Sequence, residues 1–127
     1  LKKSKKEKSI PKLTKEAQDT FNAYIRQRDY GLPCISCGKF TANQAGHYFP
    51  VKGFNALRYL EINVNSQCSW CNLYQHGNQA MYRIGLVNRY GEDAVKELEE
   101  IALKSKQEIK KWSSEELNEI IKRYKQG

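Results

Sequence analysis

Two Cys-x-x-Cys pairs, Cys34/Cys37 and Cys68/Cys71, carry the most specific chemistry in this chain, and His47 lies between them. Two thiolates at that spacing can face one tetrahedral ion, so two pairs supply a complete four-sulfur shell for zinc. A closed shell leaves no open coordination position. Zinc held in this way staples a fold, and any chemistry falls to side chains nearby. Four cysteines in an oxidising compartment could instead form two disulfides, but paired spacing in a lysine-rich chain argues for thiolates on metal. His47 is the neighbour able to exchange a proton near neutral pH. Asn63 lies a few positions before Cys68, Asn72 stands directly behind Cys71, and His76 follows one helical turn later. Each also has a plain structural use. His47 can pack against the cysteine module, Asn72 can cap a helix, and His76 can be a surface histidine.

The elements that must position these residues are short. Thr14 reads as an N-cap, and Ala17, Phe21, Tyr24, Ile25 and Arg28 follow at helical spacing, predicting a helix over 15–29 that Gly31 and Pro33 end. Gly38, after the first pair, can take the positive φ that aims two sulfurs at one point. Residues 39–67 alternate weakly and are broken by Gly46, Pro50 and Gly53, predicting two short strands with a loop at 50–56. Residues 69–90 read as mainly helical with a bend at Gly77, and Gly91 ends that segment. Amphipathic helices follow at 92–104 and 114–125, the second introduced by the capping-box pair Ser113 and Glu116. Between them runs a basic stretch with one exposed-looking aromatic, Trp112.

A chain of 127 residues with 39% hydrophobic content forms one domain with a modest core, where a structural metal contributes most. The expected organisation is a basic flexible arm at 1–13 and a single domain at 14–127. Within the domain lie an N-terminal helix at 14–30, the cysteine core at 31–90 and C-terminal helices at 91–127. No run approaches the roughly 20 apolar residues that span a bilayer, and no apolar segment of signal-peptide type follows the basic N-terminus. Most of the net charge of +8 sits in the arm. Lys2, Lys3, Lys5, Lys6, Lys8 and Lys12, with Arg58 further on, are the candidates for contact with DNA phosphates. A solubilising tail is the plain alternative.

The order of the pairs, His47, Asn63 and Asn72 resembles the zinc-stapled HNH, or ββα-metal, nucleases over residues 34–80. There a histidine ends the first strand, an asparagine lies in the following segment, and a histidine or asparagine on the helix completes the site. A closer resemblance runs through Phe21 to Arg26 with Arg28-Asp29, Gly31 to Gly38, Ala45 to Tyr48, Gln67-Cys68, Cys71-Asn72, Gly77-Asn78 and Tyr82 to Leu86. These segments look like the NinG (Rap) recombination proteins of lambdoid phages, and the zinc arrangement is similar to that of endonuclease VII, a phage junction-resolving enzyme.

The resemblance implies an α+β fold with a zinc-stapled ββα-metal, HNH-like core flanked by α-helices. It implies a structure-specific DNA endonuclease that uses Mg or Mn to cut branched recombination intermediates of Holliday-junction or D-loop type. His47 would be the general base, Asn63 would orient its ring or the adjoining loop, and Asn72 and His76 would hold the catalytic ion. The expected partners are branched DNA, a second copy of the chain meeting through residues 92–125, and other recombination proteins. The expected location is the cytoplasm of a bacterial host, with no membrane. One departure stands out: many HNH sites place Asp immediately before the catalytic histidine, where this chain has Gly46. Glu61, expected in the second strand, and Asn78 are candidates to join the site. The rival reading is a non-catalytic, zinc-stapled accessory protein that binds DNA junctions.

Overall fold

The structure is a computed structural model and describes residues 8–125. Lys2, Lys3, Lys5 and Lys6 lie outside the described residues. Helix α1 spans Ile10–Arg28, earlier than the spacing predicts. Ser9 rather than Thr14 is its N-cap, accepting from Lys12 N at 3.3 Å, and Pro11 sits in the first turn, where no amide hydrogen is needed. The Thr14 hydroxyl instead donates back to the Ile10 carbonyl oxygen at 2.7 Å, inside the helix. The early start extends the buried stripe to Leu13, Ala17, Phe21 and Ile25. Residues 10–13, expected in the flexible arm, are therefore helical. Lys12 is exposed on that helix, and Lys8, also exposed, pairs with Glu16 at 2.6 Å.

Strands β1 (Gln44–His47) and β2 (Val64–Gln67) pair antiparallel, with Gln44 opposite Gln67 and His47 opposite Val64. Glu61–Asn63 form a 3-10 turn before β2, so Glu61 is not in a strand. The predicted helix over 69–90 is two elements: a π-helical turn at Trp70–Tyr74 and helix α2 at Gln79–Tyr90. His76, Gly77 and Asn78 lie between them, all with positive φ (50°, 90° and 45°), so the helix is interrupted at Gly77 rather than continuous through it. Helices α3 (Glu92–Ser105) and α4 (Ser114–Tyr124) complete the fold, and the Ser113–Glu116 capping box is present. Trp112 is half-buried: it donates to the Asn55 carbonyl oxygen at 3.0 Å and meets the Tyr59 ring edge-on. Among the described residues no helix is long and apolar enough to cross a membrane.

The mixed helix and two-stranded sheet make this an α+β fold with two apolar cores. One joins α1 to α4 through Phe21, Ile25, Leu117, Ile120 and Tyr124. The other joins α2 to α3 through Tyr82, Leu86, Val95 and Leu98, and includes Ile35 from the first cysteine turn and Tyr48 beyond β1. The main apolar faces of α3 and α4, expected to meet a second copy, thus pack within the chain. Gly85 brings α2 against the cysteine turn: a Cβ there would lie 1.8 Å from the Ile35 carbonyl oxygen.

A buried ion-pair network fastens the end of α1 to β2. Arg28 clasps Asp29 through two hydrogen bonds of 2.7 and 2.9 Å, and the Ser66 amide donates to the same carboxylate at 2.9 Å. Burial alone would raise the Asp29 pKa. Arg28, the Ser66 N–H and the nearby Arg89 outweigh it and hold the carboxyl below its usual range.

Two outcomes are expected. Leu117→Ala, at a fully buried site between α1 and α4, should lower unfolding free energy by about 2–5 kcal/mol in urea titration. The Asp29 pKa is lower folded than unfolded, so its contribution is complete above about pH 4 and is lost as pH falls through the folded value. Asp29→Asn should therefore remove part of the acid sensitivity seen in thermal unfolding between pH 6 and pH 3, pH values chosen about the usual carboxylate pKa.

Candidate functional site

The four cysteines converge from turns flanking the sheet. In the first turn the Cys34 amide donates to the Lys39 carbonyl oxygen at 2.8 Å and Gly38 takes φ 79°. In the second, Cys68 directly follows β2 and Cys71 lies in the π turn. No two are joined in a disulfide. All four Sγ atoms lie within 4.8 Å of one another, and Cys37 and Cys68 are 3.7 Å apart. Sulfurs about 2.3 Å from a common tetrahedral ion stand about 3.8 Å apart, so the cluster could hold a metal such as zinc. The thiols are unequal without one. Burial pushes Cys71 up to about 12. Burial also raises Cys34, but amide donors from Cys37, Cys68 and Ser36 bring it down to about 7. The Asn78 side chain donates to Cys71 Sγ at 3.4 Å and so belongs to this cluster.

On the other side of the π turn a groove of about 300 Å³ is bordered by His47, Asn72 and His76, with Asn22, Pro50 and Gln79 among its other walls. His47 ends β1, and its Nε2 lies 3.0 Å from the Arg58 carbonyl oxygen. A carbonyl only accepts, so Nε2 carries the hydrogen. Among the described residues Nδ1 has no hydrogen-bond partner and is not sealed from solvent, which leaves its lone pair available. Burial lowers the His47 pKa, and the Arg58 charge lowers it further. The carbonyl bond acts in the opposite sense without reversing the shift. The ring is therefore neutral at physiological pH.

Asn63 does not touch this ring. Fully buried, it donates to the carbonyl oxygens of Phe49 (3.1 Å) and Leu57 (3.2 Å) and accepts from the Phe49 amide at 2.9 Å. It clamps both ends of the loop between β1 and Arg58, so it acts on the adjoining loop. Arg58 is engaged as well: its Nε donates to Gln18 at 2.8 Å and its Nη1 to Asn55 at 3.0 Å. Its backbone oxygen touches His47, while its guanidinium is held by Gln18 and Asn55.

Asn72 donates through Nδ2 to Gln44 Oε1 at 2.8 Å and caps no helix; Ser69 precedes the π turn in that position. Its Oδ1 turns toward Gly46, lying 3.2 Å from where a Cβ would stand. His76 borders the groove from the left-handed turn rather than from a shared helical face. Glu61 points elsewhere, accepting from Tyr24 and Tyr124 at 3.3 and 2.8 Å. No Asp or Glu lines the groove among the described residues. Sequence spacing missed Gln18, Gln44 and Gln67. For Gln44 and Gln67 the one signal is a strand pair that begins and ends on glutamine; Gln18, on α1, has none.

A family model described as Bacteriophage Lambda NinG protein matches residues 1–127. Proteins named "Protein ninG" from Escherichia phage 933W and Escherichia phage lambda are 43% and 42% identical over 114 residues. The alignment covers 88% of this chain and 54% and 53% of those proteins. The "Protein ninG" of Salmonella phage P22 is 42% identical over the same length, with 54% of it covered. The chain thus spans about half the length of the curated relatives it matches. No solved structure matches.

In ¹⁵N NMR of the protein, His47 should show the Nε2–H tautomer and titrate below the usual value of about 6.5. An Nδ1–H tautomer or a higher value would contradict the geometry.

Proposed function

The chain belongs to the NinG family, and from that premise we propose that it is a divalent-metal-dependent endonuclease of HNH type, acting on branched DNA in phage recombination. One observation carries the reading. Backbone pinning of His47 Nε2 leaves Nδ1 free on a groove shared with the Asn72 amide. A neutral imidazole with a fixed ring and an open nitrogen suits a general base that takes a proton from water attacking a phosphodiester. Arg58, through its carbonyl, sets the tautomer, and Asn63 holds the loop that delivers that carbonyl. His47 is thereby oriented without a carboxylate partner, and its pKa stays low.

Asn72 Oδ1 and His76 are the groove's candidate ligands for Mg or Mn, and an uncharged set of this kind leaves phosphate oxygens to complete the shell. When bound, such an ion supplies Lewis-acid stabilisation of phosphate and leaving oxygen. The cysteine cluster is assigned to structural zinc, which fixes the π turn and hence Asn72. Trp70 and Tyr74 stand exposed on that same turn with rings 5.6 Å apart. They suit stacking against unpaired bases, as a branch point provides. Symmetric cutting of a four-way junction requires two centres, and therefore two copies.

The missing carboxylate favours the second reading, a junction-binding protein that does not cut. Nicking assays on labelled four-way, flap and linear DNA with Mg²⁺ or Mn²⁺ separate the two. Nicking of branched DNA is expected, and His47→Ala should lower its rate by at least about 100-fold while junction binding and zinc content stay unchanged. Binding without nicking under every divalent ion would establish the second reading instead.

A further inference from the structure

Helix α1 and the first strand run side by side from the His47 groove to a second cavity. On α1, Gln18, Asn22 and Arg26 recur every fourth position, on one face of the helix and about 6 Å from one to the next. Opposite them, Asn43, Ala45 and His47 are alternate residues of one extended run and share a face of it. Asn43 stands just before β1 and extends its ladder, its amide donating to the Gln67 carbonyl oxygen at 3.3 Å. The two rows meet in register. Gln18 Nε2 lies 3.5 Å from His47 Nε2, and Asn22 and Ala45 both border the groove. Arg26 and Asn43 both border the second cavity, of about 500 Å³.

That cavity has a different character from the groove. Tyr30 and Phe40 line it and are 90% and 78% exposed. Their backbone is nonetheless held. The Tyr30 amide donates to the Gln27 carbonyl oxygen at 3.3 Å, and the Lys39 carbonyl oxygen, beside Phe40, accepts from Cys34 at 2.8 Å. Among the described residues neither ring meets another ring, the Asn43 side chain has no hydrogen-bond partner, and the exposed Arg26 guanidinium has no ion pair. Asp29 is the one carboxylate in the wall, and Arg28 and the Ser66 amide already occupy it. The cavity's net charge is therefore positive. Open aromatic faces, a free amide offering both donor and acceptor, and an unpaired cation are together the requirements of a nucleobase and its phosphate.

We propose that this cavity receives an unpaired DNA base, while the strand's backbone follows the α1–β1 seam past Asn22 to the His47 groove. The inference rests on the DNA-binding part of the reading above. It adds a base site on elements other than the π turn that carries Trp70 and Tyr74. A flap or branch point supplies unpaired bases and a continuous duplex does not, so stacking here selects for structure without reading sequence.

The test is a fluorescence anisotropy titration of the full chain, without added divalent ions. One labelled DNA is a flap with an unpaired arm, and the other is a duplex of the same paired sequence. Tyr30→Leu and Phe40→Leu keep apolar bulk and remove the stacking face. Both positions are exposed, and zinc content with thermal unfolding reports that the variants fold. Each should weaken flap binding by about tenfold and leave duplex binding unchanged, whereas Phe40→Trp should bind the flap as wild type does. Arg26→Gln should weaken binding of the flap and flatten its salt dependence. Unchanged flap affinity in the folded Leu variants, or an equal loss on duplex, would overturn the base site and leave the DNA-binding reading standing. Failure of wild type to bind the flap would overturn both.

Discussion

Four sulfurs from turns distant in sequence meet within 4.8 Å. Most of what surrounds them takes its position from that meeting. Thiolates so close repel one another, and burial makes their charge harder still to bear. A cation at their centre removes both difficulties at once. The turn holding Cys34 and Cys37 also carries Ile35 into the α2–α3 core, while the turn holding Cys68 and Cys71 continues into the π turn that presents Asn72. The cluster sets the distance between a strand end and a helical turn, the two elements that present His47 and Asn72 to the groove.

The groove's second support is polar and almost entirely uncharged. His47 is held by a backbone oxygen, Asn63 clamps the loop supplying that oxygen, and Gln44 holds Asn72. Buried amides in a chain of this kind are demanding, because each unmet donor or acceptor destabilises the fold. All but one are met among the described residues, and the exception, Gln67 Oε1, lies against Gly46. Charge is concentrated elsewhere, in the Arg28–Asp29–Arg89 network that locks α1 to β2.

Much of this was legible from spacing, because spacing encodes short-range geometry. Two Cys-x-x-Cys pairs announce a cluster, Ser113 and Glu116 announce a helix start, and the apolar periods of α1, α3 and α4 announce their buried faces. The early start of α1 was hidden because Thr14 looks like a cap, whereas Ser9 with Pro11 makes a better one and brings Leu13 into the core. The break after the π turn needed three successive left-handed residues, and only Gly77 signals such a conformation by its type. His47, Asn72 and His76 could be nominated as neighbours, and they do border one groove. What those side chains contact depends on pairings across dozens of residues. No local pattern ties Asn63 to Phe49 and Leu57, or the Arg58 carbonyl to His47.

Gly85 has a consequence beyond packing. With no side chain at that point, α2 rests directly on the backbone of the first cysteine turn, so the helix has no cushion of its own against movement of the turn. Stripping the ion would therefore be transmitted to α2 and its partner α3. The α1–α4 half has a separate apolar core, joined to β2 and α2 through Val64 and the Arg28–Asp29–Arg89 pairs. Movement of the cysteine turns should thus reach α2 and α3 first, and α1 through β2 and the pair of Arg89 with Asp29.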